Sequence, residues 1–565
     1  MSLTSALTMA GRSLEIFSTG VQVAGQNISN SNTPGYVRES MILRADRSYL
    51  KGGLLLGTGA SVTGVQQQLD FYLETKIHTS KSDLATSSGK VDAYNQLETI
   101  LSELGTGDLS TGLNKLSSAL QELVNQPESS SLRSLVISAG DALAKQIQSV
   151  RTGVDRARTN TTEQVDALVQ EANGLIDQVA QYNKEIVKLE AAGLLKSDAG
   201  GLRSLRLEAV NRLAEIMPVQ AVERENGMID LYTDTNVLVQ GSTTQHFETY
   251  VSEDQNVVVN KLRIIESGAE LDPTGGEIKG IIEGRDKVLG GFTKDLDQFT
   301  AGLIHTLNTL HSQGEGLVGY QNVTGTYGAS STTSTLNQSG LPFPVKHGQF
   351  EIKLVNKETG QEETTVINID ADGLGGNDTT LAGLQTTLDG LGNLTATLTT
   401  DGKLQLQAAD GYEIRFSNDS SGALASLGIN TFFQGTNSTN ISVNQEIVDN
   451  PSLLATGKGG GDGDNTNIIQ LAKFLETPSS VLGEIDVDQF YNNLVAGVAT
   501  NSSTEKALKD GYTTFLSSLQ SQRDQISGVS IDEETIKILQ YQQSYQAAAR
   551  IISTVDQLYQ VLLNI

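Results

Sequence analysis

Residues 527–565 read SGVSIDEETIKILQYQQSYQAAARIISTVDQLYQVLLNI. Within this stretch Ile538, Tyr541, Tyr545, Ala548, Ile552, Val555, Tyr559 and Leu562 are spaced alternately three and four apart, which puts all eight on one stripe of a helix. Ser530 followed by Glu533 predicts a capping-box start, and Asp532, Glu533 and Glu534 lie where the helix dipole favours negative charge. A seam of steady seven-residue period is what one helix offers another in a coiled coil. Burying eight side chains returns less than the backbone entropy of ordering the helix, so the seam needs a partner.

The other end of the chain offers one. Leu3, Leu7, Ala10, Leu14, Phe17, Val21, Ala24 and Ile28 repeat the same alternation without a break. An amphipathic helix packed on its own domain would also show it. Two matched seams at opposite ends point instead to helices that zip together. The stretch NISNSNTPGYVRE, residues 27–39, then ends the first helix. Asn30, Asn32, Pro34 and Gly35 are turn residues, and Thr33 before a proline is pushed out of the helical region, so the helix must stop near Ser29.

These two ends resemble the bacterial flagellar rod, hook and hook-associated protein family. QNISNSNTPGYVRE, with Asn27, Asn30, Asn32, Thr33, Pro34, Gly35 and Tyr36, is similar to its N-terminal signature. SGVSIDEETIKILQYQQSYQAAARIIST is similar to its C-terminal one. Val37 stands where relatives often carry a hydroxylated or basic residue, a tolerated variation.

Composition sets the bounds. The 565 residues are enough for several domains, and the absence of cysteine excludes disulfides, thiolate metal sites and cysteine nucleophiles. A formal charge of −27 argues against nucleic-acid binding, which needs a cationic surface. No apolar run approaches membrane-spanning length, so no membrane partner is expected. The first residues, MSLTSALTMAGRS, lack a cationic n-region and a continuous apolar core; this alone predicts a cytoplasmic protein.

Between the ends, residues 40–70 read as a Gly-rich extended linker with short strands. Helical stripes follow: Val91, Tyr94, Leu97, Leu101 and Leu104; Leu132, Val136, Ala139, Leu143, Ile147 and Val150; and Val165 through Leu189, ended by Gly193. Met217-Pro218 closes a further helix, and residues 219–265 read as a small sheet with Asn226-Gly227 as a hairpin turn. GGEIKGIIEGRD, residues 275–286, precedes another stripe from Leu289 to Leu310. This middle region resembles the hook-associated members of the family that join hook to filament.

Composition shifts to polar and Gly/Ser/Thr-rich after Tyr320, and residues 345–433 pattern mostly as β. Leu394, Ala396 and Leu398 alternate before Asp401-Gly402, and Leu404, Leu406 and Ala408 after it. A two-residue loop would put opposite faces together. A three-residue loop, 400–402 with Gly402 left-handed, pairs Leu398 with Leu404 and keeps one apolar face. Leu381, Leu384 and Leu388 predict one short helix. Residues 431–457 resemble the family's re-entry segment; the GKGGGDGDNTN loop follows, and helical patterns run from Phe490 to Ile526. The fold class expected is multidomain α+β. Its parts are a terminal coiled-coil domain (1–45 with 527–565), a long helical bundle with a small β-sheet (46–320 with 445–526) and an inserted mainly-β outer domain (321–444).

No catalytic, cofactor or metal constellation emerges. Asp370-Ala371-Asp372 and Asp462-Gly463-Asp464 begin like calcium loops, but their twelfth positions are Leu381 and Lys473 rather than a bidentate Glu. Gly457-Lys458 is followed by Gly459, which is not a phosphate loop, and His305 and His311 fall nearly on opposite faces of one helix. The resemblance implies a non-enzymatic, self-assembling structural protein, exported unfolded through the type III apparatus without a cleaved signal peptide and located in the extracellular flagellum. It also implies a homo-oligomeric ring, the hook protein and a second hook–filament junction protein as neighbours, and an export chaperone at the C-terminal helix. Both seams would be mobile before assembly. The alternatives are a hook or distal-rod protein, or a secreted effector with activity in the β domain.

Overall fold

In the computed structural model, which describes residues 3–102, 108–192, 197–234, 236–255 and 257–563, the helices follow the stripes closely. They are α1 (Leu3–Ser29), α2 (Phe71–Ser102), α3 (Leu109–Leu123), α4 (Ser130–Ala192), α5 (Gly200–Ile216), α6 (Gly276–Glu283), α7 (Gly290–His311), α8 (Leu381–Asp389), α9 (Ala423–Leu427), α10 (Gln445–Asp449), α11 (Thr466–Leu471), α12 (Val487–Ser527) and α13 (Ile531–Leu563). Leu104 and Gly193 lie outside the described residues. The two stripes of 132–189 form a single 63-residue helix, α4. The polar stretch between them continues the helix, with Arg151 and Asp155 paired one turn apart at 2.8 Å.

The chain divides into two compact units. The first comprises residues 1–93, 159–285 and 503–565, and the second 94–158 and 286–502. In the first, the expected linker forms two antiparallel ribbons. β1 (Glu39–Ala45) pairs with a distant strand across a bulge at Ile42/Leu43, and β2 (Tyr49–Lys51) pairs with β3 (Leu54–Leu56). The distant strand is β4 (Ala60–Gln67). The small sheet is two antiparallel sheets. One is β5 (Gln220–Glu223), β6 (Ile229–Thr233), β7 (Asn236–Gln240) and β8 (Thr243–Thr244); the other orders β9 (Phe247–Asp254), β10 (Val257–Ile264) and β11 (Glu270–Leu271). Their inward residues Leu231, Val239, Phe247 and Leu262 share one core with Val165, Ala172, Ile176 and Val179 of α4 and Leu213 and Ile216 of α5.

The segment GGEIKGIIEGRD now has a packing reason. Gly276, Gly280 and Gly284 recur every fourth residue, and a Cβ on Gly280 would sit 2.6 Å from the carbonyl oxygen of Thr86 on α2. A Cβ on Gly89 would lie 2.6 Å from Gly280's own backbone. Two helix backbones therefore touch with no side chain between them. Gly280→Val is expected to destabilise the first unit by about 3 kcal/mol, the upper end of overpacking costs, because backbone on both sides cannot yield. Urea titration would check it; an unchanged midpoint would contradict this packing.

The second unit holds three small antiparallel sheets among the described residues. The strands are β12 (Asn322–Thr324), β13 (Gly348–Asn356), β14 (Glu362–Ile369), β15 (Leu394–Leu398), β16 (Leu404–Ala408), β17 (Tyr412–Ser417), β18 (Phe433–Gln434) and β19 (Ser442–Val443). Sheets order β14-β13-β17, β12-β16-β15 and β18-β19. The β15–β16 hairpin pairs Leu398 with Leu404. Its Gly402 is left-handed at φ 71°, and the Thr399 N–H donates to Lys403 O, leaving the three-residue loop expected from the alternation. In α8 the leucines at 381, 384 and 388 are buried. These strands pack on helices of the same unit: Gln148 Nε2 donates to Ile441 O at 2.7 Å, and Gly140 leaves room for the Phe432 ring.

His311 closes α7 fully buried. Its Nδ1 lies 2.8 Å from the carbonyl of Asn430, and its Nε2 accepts from Ala455 N–H at 3.0 Å. Only the neutral ring can donate at one nitrogen and accept at the other. Burial, with Arg133 adding repulsion, lowers its pKa to about 4. A histidine so depressed stabilises the fold fully above about pH 6.5, and this contribution is lost as pH falls toward 4. His311→Phe is expected to cost about 2–4 kcal/mol at pH 7.5 by stranding both backbone partners, and to weaken the loss of stability between pH 7.5 and 5. Parallel denaturation curves at the two pH values check both; equal acid slopes in variant and parent would contradict the neutral-ring assignment.

Candidate functional site at the paired chain ends

The site is built within the first unit by α1, the turn that follows it, and the start of α13. The two terminal helices lie antiparallel. Thr4 Oγ1 is 3.3 Å from Tyr559 Oη, the Phe17 and Tyr541 rings are 6.5 Å apart, and Asn27 meets Glu534. Gly20 sits under the Tyr541 ring, where a Cβ would approach to 2.7 Å.

The two expected seams enter this contact unevenly. On α1, Ala10 and Ala24 are buried, Leu3, Leu14, Phe17, Val21 and Ile28 are half-buried, and Leu7 is exposed. On α13, Ala548 and Val555 are buried and Ile538, Tyr541, Ile552 and Tyr559 half-buried. Tyr545 and Leu562 are exposed, which corrects their placement in the seam within one chain. Leu562 lies almost a turn past the Thr4–Tyr559 contact. The inner row of α1 is Ala10, Phe17, Gly20, Ala24 and Asn27, spaced seven, three, four and three apart. Reading only apolar residues hid it, because Gly20 and Asn27 occupy two of its places. Ile16 is also buried and fell in neither row.

The turn residues do specific work. Tyr36 N–H donates to Thr33 O at 3.2 Å, with Pro34 and Gly35 as the central pair. Gly35 has φ 73°, the conformation a type II turn requires at that place. Asn30 and Thr33 bond to each other and to the helix end, with Asn30 Nδ2 donating to Gln26 O. Asn32, Thr33 and Pro34 are exposed. The turn sends the chain back past Asn27, which is completely buried and fully satisfied. Its Nδ2 donates to Glu39 O at 2.9 Å and Glu534 Oε2 at 3.1 Å, and its Oδ1 accepts from Tyr36 Oη at 2.9 Å and Glu39 N at 3.0 Å. Val37, next in the chain, is buried at 0 % exposure.

Glu534 is the second pivot. It is 1 % exposed yet takes Arg38 Nε at 2.9 Å and Lys537 Nζ at 2.9 Å beside Asn27. Burial would raise its pKa, but the bonds from Lys537, Asn27 and Arg38 outweigh this and hold the carboxyl below the ordinary glutamate value. The stability it confers is therefore complete above the ordinary glutamate range and fades as pH falls through the lowered value. Burial first, then the carboxylates of Glu39 and Glu534, push the Tyr36 phenol well up and keep it a neutral donor. The expected capping box is half formed: Glu533 N–H reaches Ser530 Oγ at 3.4 Å, while the Glu533 carboxylate turns to Arg38. Backbone bonds complete the join, Arg38 N–H to Ser527 O and Gln68 N–H to Arg38 O. Glu534 and Arg38 had been legible only as a dipole-favoured acid and a motif residue.

Other chemistry is sparse. Among the described residues, one set of metal-type donors converges, His347, Asp370 and Asp372, with ligand atoms within 4.8 Å of one another. Asp370 is already held by His347 at 3.2 Å and by Asn377 at 2.7 Å, so the surface loop satisfies itself. Asp464 accepts from Lys458 N, Gly460 N and Thr466, which accounts for the GKGGGDGD turn without an ion. Among the described residues no helix is long and apolar enough to cross a membrane.

Comparison with known proteins places these features in context. The family profile described as "Flagellar hook-associated protein FlgK helical domain" matches residues 94–326, and that described as "Flagellar basal body rod FlgEFG protein C-terminal" matches residues 520–565, which include the C-terminal seam. The proteins called flagellar hook-associated protein 1 in Escherichia coli and Salmonella typhimurium are 23% and 25% identical, with 100% of each chain covered. That of Bacillus subtilis is 22% identical over 99% of this chain and 97% of its own. The solved flagellar hook junction protein FlgK from Burkholderia pseudomallei shares the fold, with a TM-score of 0.50 and 13% identity over 80% of this chain and 100% of that one.

Proposed function

We propose that the chain belongs to the flagellar hook-associated protein 1 family and is a structural component of the bacterial flagellum forming the junction between hook and filament. The observation that carries this reading is the Asn27–Glu534 join: the two family signatures, 507 positions apart, meet in one buried cluster. The paired helices are the self-assembly element, and their half-buried and exposed apolar residues are left for neighbouring copies in a ring. In this reading residues 1–45 with 527–565 act as the axial part, 46–320 with 445–526 as the strut and 321–444 as the outward part. The role is architectural, with no reaction to catalyse.

The same proposal includes export in unfolded form through the type III apparatus, without a cleaved signal peptide, and ends that are mobile until assembly. The partners are further copies of the chain, the hook protein, the second junction protein and an export chaperone on α13. Cells lacking the chain are expected to carry hooks without filaments; absence of hooks would instead support a rod or hook role. Ile552→Asp puts a charge into the half-buried seam. It is expected to leave the second unit folded by circular dichroism and to abolish filament attachment, counted by electron microscopy; normal filaments would overturn assembly through this seam.

A further inference from the structure

The pairing of α1 with α13 has a register, and the two apolar seams do not supply it. Apolar places in both recur after seven residues: Leu3, Ala10, Phe17 and Ala24 on α1, and Ile538, Tyr545, Ile552 and Tyr559 on α13. A slip of one heptad, about 10 Å along the helix, lays apolar residues on apolar residues again. The link between α12 and α13 does not forbid it. Residues 528–533, which join the two helices and open α13, span roughly 20 Å when drawn out.

Two contacts do distinguish the registers, and they lie one heptad apart on both helices. The Tyr541 ring fills the space over Gly20, where a Cβ would approach to 2.7 Å, and Glu534 Oε2 accepts from Asn27 Nδ2 at 3.1 Å. Gly20 and Asn27 are seven apart, as are Glu534 and Tyr541. A slip in one direction carries Glu534 to Gly20. The face there is Phe17, Gly20 and Ala24, none with a side-chain donor, so the buried carboxylate loses its partner at high cost. A slip in the other direction carries Tyr541 onto Asn27, whose side chain occupies the place the ring needs, and carries Glu534 past the end of α1 at Ser29. Gly20 is otherwise only a cost, since inside a helix proline alone is worse. We propose that Gly20 and Asn27 on α1, with Tyr541 and Glu534 on α13, specify the register of the terminal pair. The register decides which apolar residues of α13 stay exposed, Tyr545 and Leu562 among them. This rests on the paired helices as the self-assembly element and states what fixes their outer face.

The test removes the keys from α13, because Asn27 also holds Glu39 and Tyr36. Glu534→Leu with Tyr541→Leu keeps the seam apolar, and Arg38 keeps Glu533. The chain has no cysteine, so Thr4→Cys can be combined with Tyr559→Cys, at its neighbour in the structure, or with Ile552→Cys, at its neighbour after the slip that carries Glu534 to Gly20. Isolated flagella are treated with a short bis-maleimide, and crosslinked monomer is measured. With the keys present, only the unslipped combination is expected to react. Without them, the slipped product is expected to rise several-fold at the expense of the unslipped one. Tyr541→Phe, which keeps the ring, is expected to behave as the parent. A chain without keys that gives the unslipped product alone shows that the seams set the register, and one that gives neither product shows that the keys serve only to hold the pair together; either result overturns the proposal. Flagella that lack even the unaltered chain overturn the flagellar role, and the same two products measured on the purified chain then decide the register.

Discussion

Asn27→Ala is expected to separate the two chain ends and abolish filament attachment. The substitution strands Glu39 N–H, Glu39 C=O and the Tyr36 hydroxyl, and it removes one of the donors that hold Glu534 ionised. A buried polar group left unpaired costs about 1–3 kcal/mol, and groups in one network do not add fully, so a loss of about 3–5 kcal/mol is expected. Hydrogen exchange of α13 amides in chain assembled in isolated flagella, with filament counts in cells, measures it. Asn27→Asp is the sharper variant, because it keeps the shape and sets a carboxylate against Glu534. It should be as damaging as alanine at neutral pH and recover on mild acidification, when two carboxylates can share a proton. Unchanged exchange in both variants would show that the ends are held by the apolar seam alone.

Arg133→Met is expected to produce the largest loss in the second unit. Arg133 is completely buried, and its guanidinium donates to Pro127 O and Leu454 O at 2.7 Å and to Thr456 Oγ1 at 2.6 Å. Among the described residues no carboxylate is paired with it; burial lowers its pKa to about 10, against weak support from Glu128 and Asp462. The arginine is thus a clamp on residues 451–456, the segment that also donates Ala455 N–H to His311. Removing it leaves carbonyls unpaired in a buried site, for an expected cost of about 3–5 kcal/mol in urea denaturation of this unit. Arg133→Lys keeps the charge without the planar fork and should fall between parent and methionine. The Met variant should also relieve part of the depression of His311, so the two substitutions will be less than additive. Strict additivity would show that they act on separate structures.

Both predictions concern polar residues, and there the limit of sequence reading is plain. Periodicity located α1, α13 and α8, because burial on one face imposes a spacing that survives in the sequence whatever the partner. The Pro34-Gly35 turn and the Gly402 loop were equally legible, since φ restrictions act within four residues. The alternation that paired Leu398 with Leu404 fixed a register, because a one-residue slip would turn every side chain over. The inner row of α1 was missed where glycine and asparagine took places an apolar count expects to be filled.

By itself, then, the sequence determined the elements, their ends, the hairpin register and the matched character of the termini. All of these follow from forces that act locally along the chain. Only the tertiary structure decided that Asn27 binds Glu534, that Gly280 brings two backbones together, and that Arg133 clamps residues 451–456. The reason is physical: a buried polar group is defined by which donors and acceptors surround it, and those lie up to hundreds of positions away. A spacing rule can say that a face is buried. It cannot say which distant atom completes an asparagine.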